Sequence, residues 1–337
     1  MYYLYKNQKE FSINDICQIL SLTFPTVKNI LGNLLYKNII KETFKSEIKL
    51  GRKAKYFKLN NDFIYGIGVK LSLEDVQIVL INEKGEIKKE FYIKKNFNVI
   101  NILSHLKVYL EKFLLNIELE IKNKISGIGI GIPGVVMLKE NIIEINTNNF
   151  LNFNDLKKWE KDLSLKIIIE NNCNLSAIGE KFLNKKNEIE DFISLNLDRT
   201  ISMSLFKEDV ETGSFTVFSP KIEHMVIDIN GAPCICGENG CLGILLDFNK
   251  FNINNIDIFI RYLAIGIKNI IFLYNPEKII ISGFLCIYEK EIKEKLLKKI
   301  YEKNIFFKGE ETILFSDLKN KSIILGSGIL PIIDNLF

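Results

Sequence analysis

The segment IIIENNCNLSAIGE, residues 167–180, predicts a buried strand that opens onto a site. Its three isoleucines favour a buried strand, and the residues that follow resemble the start of a helix. Polar side chains at such a strand-to-helix junction commonly face a ligand. Asn171 and Asn172 occupy the junction, and their amides form hydrogen bonds but cannot take up a proton as a carboxylate does. The segment therefore predicts a binding site and leaves open whether the protein is an enzyme.

Length and composition predict a globular protein with more than one folding unit. The chain has 337 residues, of which 47% are hydrophobic and 11% aromatic, so two or three folding units are expected. It contains no apolar run near the roughly 18 residues of a membrane helix, and MYYLYKNQKE at its start lacks the apolar core of a secretory signal. We therefore expect a cytoplasmic protein without a membrane partner.

Positive charge is concentrated at one end of the chain. Residues 1–60 contain eleven Lys or Arg against four Asp or Glu, a formal charge of +7, whereas the remainder carries −3. A small basic domain on a slightly acidic body is expected if only that end binds nucleic acid. A solvated lysine-rich surface is the alternative.

The apolar spacing of residues 12–34 predicts a helix-turn-helix. Ser12 can cap a first helix and Thr23 a second, with Pro25 in its first turn. The two predicted apolar faces repeat at i, i+3, i+4 and i+7, and they consist of Ile13, Ile16, Cys17 and Leu20, then Val27, Ile30, Leu31 and Leu34. The segments IIKETF and AKYFKL predict two strands around a basic tip, so residues 1–60 are expected to form a winged helix-turn-helix domain.

The second helix and the basic tip carry the residues expected to contact DNA. Thr26, Lys28, Asn29 and Asn33 face outward on the predicted helix, and such side chains contact phosphates and base edges in a major groove. A flexible arginine at the tip can enter a narrow minor groove. The predicted DNA-binding residues are Thr23, Thr26, Lys28, Asn29, Asn33, Arg52 and Lys53. For the tip, a solvated turn is the alternative.

The body of the chain alternates strand and helix patterns from residue 62 onward. Three strand patterns, a long helix and the strand SGIGIGIPG form a first half. LKIIIE, DFISLNL and TISMSLF predict strands of a second half, followed by further helices around KIIISG. Two α/β lobes with a cleft between them are the simplest architecture for this pattern.

One histidine and three cysteines are spaced as a metal site. In HMVIDINGAPCICGENGC, His224 precedes the C-x-C-x4-C run of Cys234, Cys236 and Cys241. One imidazole and three thiolates complete a tetrahedral zinc site and leave no open position for a catalytic water, so a structural Zn²⁺ is predicted. Disulfides are the alternative, but they are rare in a reducing cytosol.

Together these motifs resemble the ROK family of bacterial sugar kinases and sugar-responsive repressors. The resemblance rests on GIGIPGVV, ENNCNLSAIGE, the zinc motif, NPEKIIISG and the preceding winged helix that ends in GRK. It implies an α/β actin-like ATPase (ribonuclease H-like) fold, with lobe one at about 61–150 plus the C-terminal helix and lobe two at about 151–320. Kinases of this family lack the DNA-binding extension, so the repressor branch is implied.

The resemblance also implies that phosphoryl transfer has been lost. Where active members have the phosphate-binding turn Asp-x-Gly-Gly-Thr, this chain has Lys70, Ser72 and Leu73, and a second phosphate loop reads LDRTIS. Asn172 occupies the position of the catalytic aspartate, and an amide cannot deprotonate a sugar hydroxyl. No catalytic residues are therefore expected.

The sugar-binding positions implied by the resemblance are only partly retained. Asn149, Asn171 and His224 match them, and Asn172 can still form a hydrogen bond. Two expected glutamates are replaced by Lys221 and Gly243. If Lys221 faces the pocket, an anionic ligand such as a sugar phosphate is expected. If it faces solvent, the pocket is vestigial.

We therefore expect a repressor of sugar-metabolism genes that binds a duplex DNA operator as a homodimer or dimer of dimers, because a two-fold pair reads two half-sites. Two alternatives stay open. One is an ATP-dependent hexose kinase with an added N-terminal domain, and the other is a repressor that senses no ligand.

Overall fold

The computed structural model describes residues 10–44, 55–72, 74–95, 99–137, 142–146, 149–152, 154–184, 189–198, 200–209, 212, 214–248, 251, 256–302 and 312–336. Its first part is the predicted helix-turn-helix with a hairpin, formed by α1 (Ile13–Leu20), α2 (Phe24–Tyr36), β1 (Ile40–Phe44) and β2 (Lys55–Leu59). The strands pair antiparallel, with Ile40 opposite Leu59 and Phe44 opposite Lys55.

Ser12 caps α1, as the sequence predicted, and it does so as part of a capping box with Asp15. Ser12 Oγ accepts a hydrogen bond from the Asp15 backbone N–H at 3.2 Å, and the Ser12 N–H donates to Asp15 Oδ2 at 2.7 Å. Thr23 occupies the N-cap of α2, but its hydroxyl lies 2.8 Å from that of Thr26 and makes no capping bond to the backbone.

The core of this small domain is narrower than the apolar spacing predicted. Val27 and Leu31 are buried against Phe11, Ile16, Ile40 and Phe57. Leu20 and Ile30, which were expected in the same core, are 47% and 44% exposed. At 100° per residue, Ile30 lies about 100° around α2 from Leu31, so it falls on the flank of the buried face.

A mixed five-stranded sheet, in the order β10-β6-β3-β4-β5, forms lobe one. It comprises β3 (Tyr65–Leu71), β4 (Asp75–Asn82), β5 (Ile87–Lys94), β6 (Ile125–Ile132) and β10 (Ile167–Asn171). Because β10 pairs in parallel with β6, the strand LKIIIE does not belong to the second lobe, to which the sequence had assigned it. Alternation of strands along the chain does not reveal this pairing, which depends on a contact between distant segments.

Helices cover the faces of this sheet. Besides β6, the elements between β5 and β10 are α3 (Val99–Leu115), α4 (Leu119–Lys122), the three-stranded sheet β7 (Val135–Met137), β8 (Ile142–Asn146) and β9 (Asn149–Asn152), and α5 (Asn154–Leu163). Helix α3 buries Ile102, Leu106 and Leu110 against the sheet. The next helix is α6 (Asn172–Leu183), which follows β10 directly.

A second five-stranded sheet, in the order β13-β12-β11-β14-β15, forms lobe two. Its strands are β11 (Phe192–Leu197), β12 (Ile201–Glu208), β13 (Phe215–Phe218), β14 (Ile279–Ser282) and β15 (Ile313–Phe315). The helices of this lobe are α7 (Leu242–Leu245), α8 (Ile256–Tyr274) and α9 (Glu289–Tyr301). The buried residues of α8 and α9 share one core with β11 and β14.

Two helices connect the lobes. The C-terminal helix α10 (Ser322–Leu336) packs on lobe one at glycines of β3 and β6, where a Cβ on Gly66 would lie 2.0 Å from the Gly328 carbonyl oxygen. Together α6 and α10 form a core that contacts strands of both sheets. The cleft between the lobes therefore opens beside the start of α6. Among the described residues, no helix has the length and apolar content needed to cross a membrane.

Candidate ligand cleft, metal centre and DNA-binding face

A cavity of roughly 710 Å³ lies between the lobes. Its walls come from the ends of β3, β6 and β10, the start of α6, the loop after β11 and the segment that follows β13. The predicted ligand residues Asn171, Asn172 and Lys221 all line it. The strand-to-helix junction of 167–180 thus opens into a cavity of a size suited to a small molecule.

The junction itself is a capped helix start. Asn171 Oδ1 accepts from the Asn174 backbone N–H at 2.8 Å, which fixes the first turn of α6. Glu170 accepts from the Asn171 N–H at 2.8 Å and from Asn174 Nδ2 at 3.0 Å, and burial raises the pKa of its carboxyl. The acid of the junction is therefore held by its own neighbours.

Asn172 occupies a tight site beside β6. Its Oδ1 atom is buried without a hydrogen-bond partner, and a Cβ on Gly131 would lie 2.6 Å from it. A buried acceptor without a donor costs free energy. This amide is held by the packing of β6 against α6, and it supplies no carboxylate to the cavity.

An ion pair crosses the cleft. Lys70 at the end of β3 places its Nζ atom 2.8 Å from Asp198 Oδ2, in the loop that follows β11. The two side chains are 21% and 32% exposed, and both line the cavity. Lys70 of lobe one is thus paired with a carboxylate of lobe two.

A short turn between β13 and the metal loop forms another part of the wall. The turn spans Ile222–His224, and both Lys221 and Glu223 line the cavity. The Lys221 side chain is 59% exposed, and its Nζ atom lies 3.7 Å from Glu223 Oε1. Lys221 therefore reaches solvent with a carboxylate beside it, so the geometry favours the solvent-facing alternative for this residue. The pocket does not depend on Lys221, however, because other polar side chains such as Asn171 and Glu223 still line the cavity.

The four predicted metal ligands come together. The ligand atoms of His224, Cys234, Cys236 and Cys241 all lie within 4.8 Å of one another. His224 Nδ1 is 3.4 Å from Cys234 Sγ, and the Sγ atoms of Cys236 and Cys241 are 3.5 Å apart. A tetrahedral zinc ion with Zn–S of about 2.3 Å places its sulfurs about 3.8 Å apart, so the cluster fits zinc.

The backbone of this loop explains its glycines. Gly237 and Gly240 have φ of +98° and +65°, and a Cβ on Gly240 would lie 1.6 Å from the Asp228 carbonyl oxygen. The Glu238 backbone N–H lowers the pKa of the Cys236 thiol, whereas burial raises the pKa of Cys241 to about 12. A metal ion would displace the protons from both thiols.

The predicted recognition helix exposes polar side chains. Thr23, Thr26, Lys28, Asn29 and Asn33 are all exposed. Thr26, Asn29 and Asn33 share one face because they are spaced at i, i+3 and i+7, whereas Lys28 lies on a flank. Arg52 and Lys53 fall outside the described residues, as does the side chain of Asn149, whose backbone begins β9.

Sequence reasoning missed several residues of the cleft. Asp198, Glu223 and Cys173 line the cavity, and none of them was predicted as a ligand residue. Asp198 belongs to the loop LDRTIS, but its position opposite Lys70 and the place of Glu223 in the wall follow only from the packing of distant segments. His224, predicted both as a metal ligand and as a sugar-binding residue, lies with the three cysteines and is not among the residues that line the cavity.

A ROK family model matches residues 66–246, more than half of the chain. The chain belongs to the ROK family. The fold agrees, since a crystal structure of a ROK family transcriptional regulator, a homologue of the E. coli MLC protein, superimposes with a TM-score of 0.75 at 18% identity. That match covers 94% of this chain and 90% of the other.

Relatives of two kinds resemble this ROK chain. The xylose repressor of Caldicellulosiruptor bescii is 23% identical, over 98% of this chain and 94% of its own length. A glucokinase of Halalkalibacterium halodurans is also 23% identical, but it aligns with 64% of this chain and 79% of its own length. The repressor thus aligns with nearly the whole chain.

Proposed function

We propose that this ROK protein is a DNA-binding transcriptional regulator, acting as a repressor of sugar-metabolism genes. The observation that carries the proposal is the exposed polar face of α2, on a capped helix-turn-helix joined to a two-lobed body. Thr26, Asn29 and Asn33 offer hydroxyl and amide groups, which are the groups that contact phosphates and base edges. The +7 charge of residues 1–60 supplies attraction to any duplex.

The relatives favour the same function. A xylose repressor aligns over 98% of the chain, including the winged helix, whereas the glucokinase aligns over 64% of it. A homodimer or dimer of dimers in the cytoplasm suits this role, because a two-fold pair of winged helices reads two half-sites.

Loss of phosphoryl transfer belongs to the proposal. Phosphoryl transfer requires a base for the accepting hydroxyl and an open path for the nucleotide phosphates. Asn172 supplies no base, and the Lys70–Asp198 ion pair spans the cleft between the two positions where the family resemblance implies phosphate loops. The body then serves to bind an effector and to transmit its binding to the DNA-binding domain.

Zinc has a structural role in this proposal. The donor set of one imidazole and three thiolates is complete, so zinc would fix the loop and leave no coordination position for a substrate. His224 would hold the turn of Lys221 and Glu223 in place at the cleft, because it is part of that turn. The metal centre thereby stabilises one wall of the effector site.

The effector is proposed to be a sugar bound in the cavity beside Asn171 and Asn172. A ligand shifts the protein between DNA-binding states only by its difference in affinity for those states. A sugar that contacts both lobes would have such a difference in affinity, because it makes both sets of contacts only when the two lobes are in the right relative position.

Selection of genomic fragments tests DNA binding. Full-length protein should bind only a small set of DNA fragments from the genome of its source organism, and its affinity for them should fall steeply as the salt concentration rises. The double variant Asn29→Ala/Asn33→Ala should lose this selectivity, with a loss of about 1–3 kcal/mol per base-reading contact.

Two further variants sharpen the test. Lys28→Ala should weaken all fragments about equally and reduce the salt slope, because it removes a phosphate contact from the flank. Lys290→Ala on α9, far along the chain in lobe two, is the matched control for loss of one lysine. If the double variant selects the same fragments with the same affinity as the wild type, α2 is not the recognition helix.

A further inference from the structure

The cleft wall contains an acid whose position depends on a glycine twenty residues later. Glu223 lies in the turn Ile222–His224 and lines the cavity, with its side chain 24% exposed. The turn is held by backbone hydrogen bonds from the His224 N–H to the Lys221 carbonyl at 3.1 Å and from the Met225 N–H to the Ile222 carbonyl at 3.0 Å. The Glu223 backbone therefore has a defined place in the wall.

Gly243 in α7 makes room for this acid. A Cβ on Gly243 would lie 3.1 Å from the Glu223 Cβ atom and 3.1 Å from its carbonyl oxygen. A Cβ at position 243 would therefore require Glu223 to shift by about a few tenths of an ångström, and a longer side chain would occupy space beside it. Gly243 has no positive φ in the structure, so close approach, not backbone conformation, is the physical reason for a glycine here.

The charges around the cavity disfavour an anion. Among the residues that the structure describes, the lining includes the carboxyl groups of Asp75, Glu170, Asp198 and Glu223 and the ammonium groups of Lys70 and Lys221. Lys70 is paired with Asp198 at 2.8 Å, and Lys221 lies at the exposed edge with Glu223 3.7 Å away. A phosphate would therefore compete with an acid that already lies close to each of these two lysines.

We propose that Glu223 is the ligand-binding carboxylate of this cleft and that it selects neutral polyhydroxyl ligands over their phosphate esters. A carboxylate accepts strong hydrogen bonds from hydroxyl groups, and a neutral sugar offers such donors on adjacent carbons. The family resemblance implies a glutamate at position 243, where this chain has glycine. We assign its role to Glu223 on the turn that faces Gly243. The inference rests on the proposed effector-binding role of the cleft.

Titration calorimetry on the full-length protein tests this proposal. The probes are neutral pentoses, hexoses and N-acetylhexosamines, each with its phosphate ester. We expect at least one neutral sugar to bind more tightly than its ester. Glu223→Gln keeps the shape of the side chain and should weaken that sugar about 10- to 100-fold, because it removes a charged acceptor. Glu294→Gln, the same change at an exposed acid on α9, should leave the sugar affinity unchanged.

A swapped double variant separates recognition from a structural effect. Gly243→Glu alone should disrupt the wall, whereas Glu223→Gly/Gly243→Glu moves the carboxylate to the other segment and should recover part of the sugar affinity. Zinc content and thermal midpoint should stay unchanged in Glu223→Gln. An ester that binds more tightly than its sugar, or a Glu223→Gln variant with wild-type affinity, would overturn the proposal.

The fragment selection described above distinguishes this inference from the proposed function. If no probe binds while DNA selection persists, the assignment of Glu223 fails and the regulator proposal stands. If a neutral sugar binds through Glu223 while no DNA is selected, the regulator proposal fails and the assignment of Glu223 stands.

Discussion

Glu180 shows how a single residue makes the stability of this protein depend on pH. It is fully buried in α6, where it accepts hydrogen bonds from Ser316 Oγ and, at 2.9 Å, from Asn184 Nδ2. Burial raises the pKa of its carboxyl from 4.5 to about 7, and the nearby Asp317 acts in the same direction. Between these two values the folded chain holds a proton that the unfolded chain has released.

The predicted consequence is a loss of stability as pH rises from about 4.5 to about 7, with the full cost present above that range. Glu180→Gln cannot ionise, so its advantage over the wild type should grow with pH and reach on the order of 2–4 kcal/mol at pH 8. Urea unfolding of both proteins between pH 5 and 8 measures this difference. The exposed Glu294→Gln is the control. A constant difference between the Glu180 variant and the wild type would contradict the prediction.

Residue-level inference from sequence succeeded where a side chain acts on its near neighbours. The capping role of Ser12 and the metal set around His224 follow from short spacings, and the structure brings both sets together. The place of Lys221 at the exposed edge of the cleft could not be predicted, because the sequence does not show which side of the turn Ile222–His224 faces solvent.

At the level of elements, the metal loop between β13 and α7 is mostly irregular in its described residues, with one short 3-10 turn at Ile222–His224. Backbone hydrogen bonds from Cys234 to Glu238 and from Gly240 to Ala232 shape it, and two glycines have positive φ. Its exposed apolar side chains, Ile229 and Ile235, are 79% and 86% exposed. A loop with so little burial requires another source of order, and four clustered ligands supply one.

The predicted consequence is that one zinc ion per chain stabilises this loop. Cys236→Ser removes one of four ligands and should lower zinc content, and its free energy of unfolding should fall by at least about 2 kcal/mol, which lowers the thermal midpoint by about 4–8 °C. Elemental analysis and thermal unfolding measure both effects. Glu238→Gln, exposed in the same loop, should change neither. Wild-type protein that contains no zinc when purified without chelator would refute the prediction.

Element-level inference from sequence was right for local pairs and wrong for a distant one. The strands β1 and β2 of the hairpin are close in sequence, since β1 ends at Phe44 and β2 begins at Lys55, and the two helices before them follow from apolar spacings within each helix. Strand β10 was assigned to the wrong lobe, because its partner β6 lies about forty residues earlier and period-two patterns do not identify partners.

At the level of the whole molecule, the relative position of the lobes depends on contacts made across the cleft. Helices α6 and α10 provide an apolar core between the sheets, with buried residues such as Leu175 and Ile329. On the open side, the Lys70–Asp198 ion pair is a polar link between β3 of lobe one and the loop after β11 of lobe two. Two lobes were predicted from the alternating pattern, but this link required the folded structure.

The ion pair is expected to preorganise the cleft for its ligand. Both side chains are partly exposed, so the pair contributes about 1 kcal/mol or less. Lys70→Met should therefore weaken sugar binding by up to about fivefold, because part of the binding energy must then bring the lobes together. Asp198→Asn should give a similar loss, and the double variant should lose little more than either single variant.

A matched control and a kinase assay complete this prediction. Lys107 pairs with Asp162 at 2.5 Å, and its helix α3 and the partner helix α5 both pack on lobe one, so Lys107→Met should leave sugar affinity unchanged. Lys70→Met combined with Asn172→Asp should form no sugar phosphate from ATP. A restored base contributes about 10²–10⁴ in rate but supplies no phosphate-binding turns. Equal effects of Lys70→Met and Lys107→Met would show that the cleft does not depend on the ion pair. Sugar phosphate formed above the level of a mock purification would show that the protein can act as a sugar kinase.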